Sequence, residues 1–336
     1  MKRSKMTQLA SEIKIALTTI NAIESVIAKR RSELDKFLLD YSIEEQALYD
    51  SQIYQGTEVD QLLPIIIFVE TIDDHRRFEY YRYSTSSMPQ TNVPGHNCKI
   101  LVQDSVTKQY LGVMQLTTDL LVHPGKTTFL GIPESKYGRY KTKVREKGIN
   151  ISICVPLQPF GFNFCGGKLL AMLAFSTEVY QYFQTKYQTS LGYIMTTSIN
   201  GKSIQYSQLK ELKYVGLTQG FGTSHIPESL MPKVDTFLKT KFPKRNLKKD
   251  SKTTKLKMVV QDLKLDPMIL YHGQKRGVYI GFCGEKGADY VQGLIPEDEW
   301  IPDRIKDLSQ IFQIWLDKYA LKRKKNLLER KALKLL

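Results

Sequence analysis

The sequence predicts an α/β (α+β) fold: a mixed sheet flanked by helices, preceded by an N-terminal coiled-coil helix and followed by a C-terminal basic helix. Three observations support this. Apolar residues recur at heptad spacing before residue 50. From residue 62 onward, short runs of β-branched and aliphatic residues alternate with helical patterns. After residue 301, a brief apolar stripe leads into a run of lysines and arginines.

In chain order, residues 7–49 read as one helix. Its seam runs through Leu9, Ile13, Ala16, Ile20, Ile23, Ile27, Leu34, Phe37 and Tyr41, broken only by Arg30. A stripe this narrow suits a coiled-coil partner better than a globular core. Leu62–Glu70 reads as a strand and residues 80–95, rich in Ser, Thr and Pro, as a loop. Cys98–Asp104 and Tyr110–Leu116 read as a hairpin, and Ile149–Leu157 as a strand by its strict alternation. A loop at Pro159–Asn163 then precedes a helix from Gly166 to Tyr187. Leu191–Ser198 is a further strand, Ser203–Val215 a helix, Lys239–Lys257 a basic linker or hairpin, and Gly277–Phe282 a late strand. The last helix repeats the apolar stripe at Ile305, Leu308, Phe312, Trp315 and Tyr319. These elements divide the chain into a helical segment (1–55), an α/β core (60–235), a basic linker with late strands (236–300) and the basic helix (301–336).

With 336 residues, 42% of them hydrophobic and 25% charged, the chain has the make-up of a packed globular protein, not of a disordered or disulfide-scaffold one. No apolar run reaches membrane-spanning length, so no membrane association is expected. The basic start is followed by an amphipathic stretch carrying Glu12 and Lys14, which is no signal-peptide core. Cys98, Cys154, Cys165 and Cys283 form no zinc-type cluster, so no metal is expected, and a reduced intracellular setting follows.

The net charge is +15, and two windows carry all of it. Lys239–Lys257 holds nine basic residues and one acid, and residues 318–336 hold eight basic residues and one acid. Such appendages suit contact with phosphate, and nucleic acid, DNA first, is the expected partner. Lys244, Arg245, Lys248, Lys249, Lys322, Arg323, Lys324 and Lys325 are the candidate contacts. The N-terminal helix would join the chain to a partner protein or to a second copy.

The stretch from Ile149 to Lys186 carries the most chemistry. Gly161, Gly166 and Gly167 permit close backbone approach, and a helix N-terminus follows them. Gly161 to Lys168 misses a P-loop by one residue, with Leu169 where a Ser or Thr would bind magnesium. No G-x-G-x-x-G opens the helix. Close helix–sheet packing accounts for Gly166 and Gly167 equally well.

These residues carry a resemblance. Pro159-Phe-Gly-Phe-Asn-Phe-Cys-Gly-Gly-Lys-Leu-Leu-Ala-Met-Leu resembles the signature of the Druantia DruA-like family of phage, giant-virus and mobile-element proteins. Asn97-Cys-Lys-Ile-Leu-Val, Tyr110-Leu-Gly-Val-Met, Thr196-Thr-Ser-Ile-Asn-Gly-Lys-Ser-Ile-Gln-Tyr, Gly216-Leu-Thr-Gln-Gly and Lys275-Arg-Gly-Val-Tyr extend it over about residues 85–325. The resemblance implies a DNA-related setting, in phage defence or transposition and in host cytoplasm or virion. It supplies no reaction.

The same core is similar to GNAT acyltransferases in its succession of strand, glycine loop, helix, strand and helix. That resemblance implies acetyl-coenzyme A or another acyl-coenzyme A bound at Gly161, Asn163, Gly166, Gly167 and Lys168, although Asn163 stands where the family's second loop glycine would be. Acyl transfer needs a general base and a general acid. Tyr206 and Tyr214 are candidate acids and Glu178 a remote candidate base. The sequence thus offers three expectations: a DNA-associated protein gripping phosphate, an acyl-coenzyme-A-dependent transferase acting on a nucleic acid, amine or protein, or an inactive scaffold subunit.

Overall fold

The computed structural model describes residues 2–20, 22–86, 94–199, 201–223 and 225–330. The chain divides into two compact units, each assembled from separated stretches. A helical unit comprises Met1–Lys36 with Thr218–Lys275, and a sheet unit comprises Phe37–Leu217 with Arg276–Leu336.

The sheet unit is built on seven strands: β1 (Pro64–Phe68), β2 (Asn97–Asp104), β3 (Tyr110–Thr118), β4 (Gly148–Pro156), β5 (Tyr193–Ser198), β6 (Lys213–Leu217) and β7 (Gly277–Phe282). Their order is β1-β2-β3-β4-β5-β7-β6. Every neighbouring pair is antiparallel except β4 and β5, which run parallel from Gly148 opposite Tyr193 to Ile151 opposite Thr196. Beyond Ile151, β4 continues to Pro156 without pairing to β5. The fold is thus the expected mixed sheet flanked by helices.

Both faces of the sheet are buried. Ile100 and Val102 of β2 and Ile194 of β5 join one core cluster, while the intervening Leu101, Tyr193 and Met195 enter others. This follows from the two-residue alternation of strand side chains. In the β2–β3 hairpin, the Asp104 carboxylate accepts the Thr107 N–H and hydroxyl at 2.8 and 2.7 Å, and the Leu63 N–H at 2.7 Å. One acid therefore closes the turn and ties the preceding strand to it.

Several elements differ from expectation, each for a local reason. The N-terminal stretch forms three helices, Lys2–Thr19, Ala22–Asp40 and Ile43–Ser51, rather than one. Ser42 and Glu45 form a reciprocal capping box that starts the third. Its heptad seam is divided: Ile13 lies in the helical unit's core with Leu9, Ala16 and Ile20 against it, whereas Phe37 and Tyr41 join Tyr49 and Tyr80 in the sheet unit. A helix Ile72–Thr85, begun by a Thr71–Asp74 capping box, runs into the first part of the supposed loop at 80–95, and residues 87–93 lie outside the described residues. The helix expected over 166–187 is two, Gly166–Leu173 and Thr177–Tyr187, because the Ser176 hydroxyl caps a new start by accepting the Val179 N–H.

Residues 203–212 are not a helix. Tyr206, Leu209 and Leu212 are buried at three-residue spacing, and consecutive turns bond Tyr206 to Ser203, Leu209 to Tyr206 and Leu212 to Leu209. That period fits repeated tight turns rather than the 3.6 of an α-helix.

In the helical unit, helices Met231–Lys241 and Lys252–Asp262 enclose a core with the first helix. Ile13, Val234, Phe237, Leu238, Leu256 and Val259 are its most buried members. The expected basic linker is thus largely helical: a short turn at Leu247–Lys249 joins the two helices, and the Ser251 hydroxyl caps the second by accepting the Thr254 N–H at 3.2 Å. Lys233 pairs with Glu12 of the first helix at 2.9 Å.

Candidate nucleic-acid interface

Charge separates the two units. The helical unit contains 20 Lys and Arg against nine Asp and Glu, so it holds +11 of the +15. Part of this is answered locally. Lys241 pairs with Asp262 at 3.2 Å, Arg245 with Asp250 at 2.7 Å, Lys252 with Glu228 at 2.7 Å and Lys255 with Asp235 at 2.8 Å. Lys244, Lys248 and Lys249, on and beside the turn between the two helices, are exposed and have no ion pair among the described residues.

The same unit has a groove of about 620 Å³. Phe221 stands at its rim, 49% exposed, tilted against Tyr271 at 5.1 Å between ring centres. Lys257 and Lys264 line it with Gln219 and Gln261, and Thr223 and Thr253 share a hydroxyl hydrogen bond of 3.1 Å there. An exposed aromatic ring among lysines and amides can stack a base and hold its phosphate. Sequence reasoning misses Phe221, Lys257 as a lining residue, and Lys264; the Phe in Gly220-Phe-Gly is the signal that points to the groove.

In the sheet unit, the predicted basic contacts split. Lys322 and Lys325 are exposed without an ion pair among the described residues. Arg323 donates to the Phe162 carbonyl at 3.3 Å and lies 4.7 Å over the Phe162 ring, and Lys324 pairs with Glu58 at 3.3 Å. Of the eight candidate cations, then, Arg245, Arg323 and Lys324 already have intramolecular partners.

The glycine loop is packed shut. A short helix Phe160–Phe164 ends at Cys165 in the left-handed conformation, and helix Gly166–Leu173 follows, buried throughout. A Cβ on Gly166 would lie 2.5 Å from the Phe160 ring and 3.2 Å from the Gly161 Cα; one on Gly167 would meet the Gln205 side chain at 2.8 Å. Asn163 is 1% exposed and Lys168 3%. The Lys168 ammonium donates to the Ile204 carbonyl and sits 4.9 Å over the Tyr319 ring. Burial pulls its pKa below the usual lysine range, against the influence of Cys165. From the last helical segment, the Trp315 Nε1–H donates to the Cys165 carbonyl at 3.2 Å. These residues do not fit a pyrophosphate: the space beside each of the two helix-start glycines is taken by the chain's own side chains.

The catalytic candidates are not brought together. Tyr206 is buried in the turns before β6, its phenol pushed well above its usual pKa by burial and by Cys154. Gln205 donates to the Cys154 carbonyl at 3.2 Å, and burial raises the Cys154 thiol to about 12. Tyr214 lies on β6 rather than on a helix, edge-on to Tyr279 at 5.4 Å. Glu178 lies in the first turn of helix Thr177–Tyr187, and its Oε2 is buried without a hydrogen bond. Among the described residues no cluster of His, Cys, Asp or Glu could hold a metal ion, and no helix is long and apolar enough to cross a membrane.

Comparison with known proteins gives a family match. The family model for Druantia protein DruA matches residues 28–293, more than half of the chain. A Druantia protein DruA from Escherichia coli (strain UMEA 4076-1) is 37% identical over a stretch covering 22% of this chain and 22% of that protein. The match therefore spans about a fifth of that curated relative. No solved structure matches.

Proposed function

The chain belongs to the family of Druantia protein DruA, and on that premise we propose that it is a DNA-associated protein of a phage, virus or mobile-element setting that grips nucleic-acid phosphate through its helical unit. The observation that carries this reading is the +11 gathered on that unit, with Lys244, Lys248 and Lys249 open to solvent on one turn. Uncompensated cations on one compact unit attract a polyanion and release its counterions on binding. The groove at Phe221 adds a stacking surface on the same unit, lined by Lys257 and Lys264, which favours a strand with accessible bases.

Fluorescence anisotropy with labelled single-stranded and duplex DNA across a salt series tests this. Changing Lys244, Lys248 and Lys249 to Gln removes three phosphate contacts, so the duplex salt slope falls by about 2.7. Between 50 and 200 mM salt, the difference amounts to roughly 40-fold in affinity. An unchanged slope refutes the reading.

A second reading, docking of a partner protein or second copy on the N-terminal helices, draws on Leu38, Leu39 and Ile43, which are 53%, 87% and 81% exposed. For a second copy, light scattering should show a larger species that Leu39→Glu with Ile43→Glu reduces to a monomer; a monomer from the start refutes self-association. Acyl transfer gains no support, because the loop that would hold the cofactor is filled.

A further inference from the structure

The sheet unit holds a cavity of about 440 Å³ distinct from the glycine loop and from the helical unit's groove. Lys210, Arg304, Lys306 and Lys318 line it against a single acid, Glu211. Lys306 and Glu211, 3.6 Å apart, form the one ion pair among the described residues that answers any of these cations. With Lys306 answered by Glu211, the exposed Lys210, Arg304 and Lys318 leave the cavity mouth positive, which attracts an anion.

The wall is rigid. The Arg304 N–H donates to the Cys283 carbonyl at 3.0 Å and the Lys306 N–H to the Phe175 carbonyl at 3.2 Å, while the Lys306 carbonyl accepts the Thr177 N–H at 2.9 Å. Lys210 follows the buried Leu209 in the turns before β6. Lys318 and Tyr319 lie on a π-helical turn, Leu316–Ala320, between helices Leu308–Trp315 and Leu321–Glu329. A π turn within an α-helix is a local irregularity frequently found at functional sites, and here it carries two residues of the cavity wall.

Two flat rings, Tyr319 and Phe282, line the same space, each with one face already covered, Tyr319 by the Lys168 ammonium and Phe282 by Phe129. The Tyr319 hydroxyl donates to the Gln208 carbonyl at 2.8 Å, and Phe282 is stacked on Phe129 at 4.4 Å. Cations that include an arginine favour a phosphate, and aromatic faces favour a planar base. The volume falls within the range of small-ligand sites. Phe175, Lys210, Glu211 and Phe282 lie within the stretch the family model matches, and Arg304, Lys306, Lys318 and Tyr319 follow it.

We propose that this cavity binds a nucleoside phosphate, with its phosphate among Lys210, Arg304, Lys306 and Lys318 and its base against Tyr319 and Phe282. The site goes beyond the DNA-gripping reading and stands without it. The nucleoside phosphate could come from two sources, a free nucleotide or the phosphorylated end of a strand.

Calorimetric titration of the full chain with AMP, GMP, CMP and dTMP in turn tests it. At least one should bind saturably, and its unphosphorylated nucleoside at least tenfold more weakly. Arg304→Gln with Lys318→Gln should weaken that nucleotide at least tenfold, while the Lys244, Lys248 and Lys249 to Gln variant leaves it unchanged. Both altered side chains are exposed, and unchanged tryptophan emission checks that the fold persists. A short 5′-phosphorylated strand that displaces the nucleotide, where its 5′-hydroxyl counterpart does not, identifies a strand end as the source; displacement by neither identifies the free nucleotide. No saturable heat with any of the four at millimolar concentration, equal binding of the nucleoside, or full affinity in the double variant overturns the proposal.

Discussion

Replacing Gly166 by alanine tests whether the glycine loop exists for packing or for a ligand. The new methyl would lie 2.5 Å from the Phe160 ring, which is itself held 5.6 Å from Trp315 and 6.0 Å from Phe164 between ring centres, with the Gly161 Cα 3.2 Å away. Nothing there is the free end of a flexible side chain, so the ring and backbone must shift. Overpacking of this kind costs about 1–3 kcal/mol. Gly166 is the first residue of its helix, so alanine returns only a fraction of the roughly 1 kcal/mol it gains in a helix interior, and a net loss of about 1–2 kcal/mol is the central expectation. For a unit of 242 residues that corresponds to a Tm lower by about 2–8 °C.

Trp300 and Trp315 both lie in the sheet unit, so tryptophan emission during a thermal ramp reports that unit alone. Gly167→Ala is the internal control. Its methyl meets the Gln205 side chain, which can move only by giving up its hydrogen bonds to Cys154, a loss of about 1 kcal/mol, so Tm should fall less than in Gly166→Ala. Neither wild type nor variant should give saturable heat with acetyl-coenzyme A at millimolar concentration. A Gly166→Ala protein as stable as wild type, or less harmed than Gly167→Ala, refutes the packing account.

Three further outcomes follow from the same structure. The Lys126 ammonium and Asp119 carboxylate form a fully buried pair at 2.6 Å, and the carboxylate also accepts the Tyr193 hydroxyl at 2.6 Å; Asp119→Ala should cost about 3–5 kcal/mol by stranding the cation. Adding Lys126→Met should recover part of that loss in a urea melt, and a purely additive double variant contradicts this. Burial, aided by Lys252 and opposed by the hydrogen bond to the Ile269 carbonyl, holds His225 below its ordinary pKa. Its contribution is full above the unfolded value of about 6.5 and is lost as pH falls below it toward the folded pKa; the urea midpoint should therefore drop from pH 7.5 to 5.5, less so in His225→Gln, and equal drops would show that another group titrates. Phe221→Ala should weaken single-stranded DNA by about 1–3 kcal/mol per lost stack without altering the salt slope, as anisotropy would report; a changed slope would mean a structural effect instead.

Strands were the most legible part of the sequence. Ile149–Leu157 announces itself because a two-residue alternation matches the period of a strand and not that of a helix, and Gly277–Phe282 because a short apolar run between glycines suits a buried strand. Helix breaks were less legible: Ser42, Thr71 and Ser176 each cap a start, yet only their bonds to the N–H three residues on distinguish them from ordinary polar residues. The 203–212 stretch misled because apolar residues three apart suit a turn series and a helix almost equally.

The sequence by itself determined six of the seven strands (β6, Lys213–Leu217, reads as the end of a helix), the excess of positive charge and the kinship of the loop at residues 159–173, since each is a property of neighbours along the chain. Tertiary structure decided what those features do. It placed the first helix with residues 218–275 and so put most of the net charge on one unit. It filled the glycine loop with Phe160, Gln205 and the Tyr319-capped Lys168. It also brought Lys210, from before β6, to the same cavity as Arg304, Lys306 and Lys318, from after β7. Charge and burial act through distance in space, and folding sets that distance independently of separation along the chain.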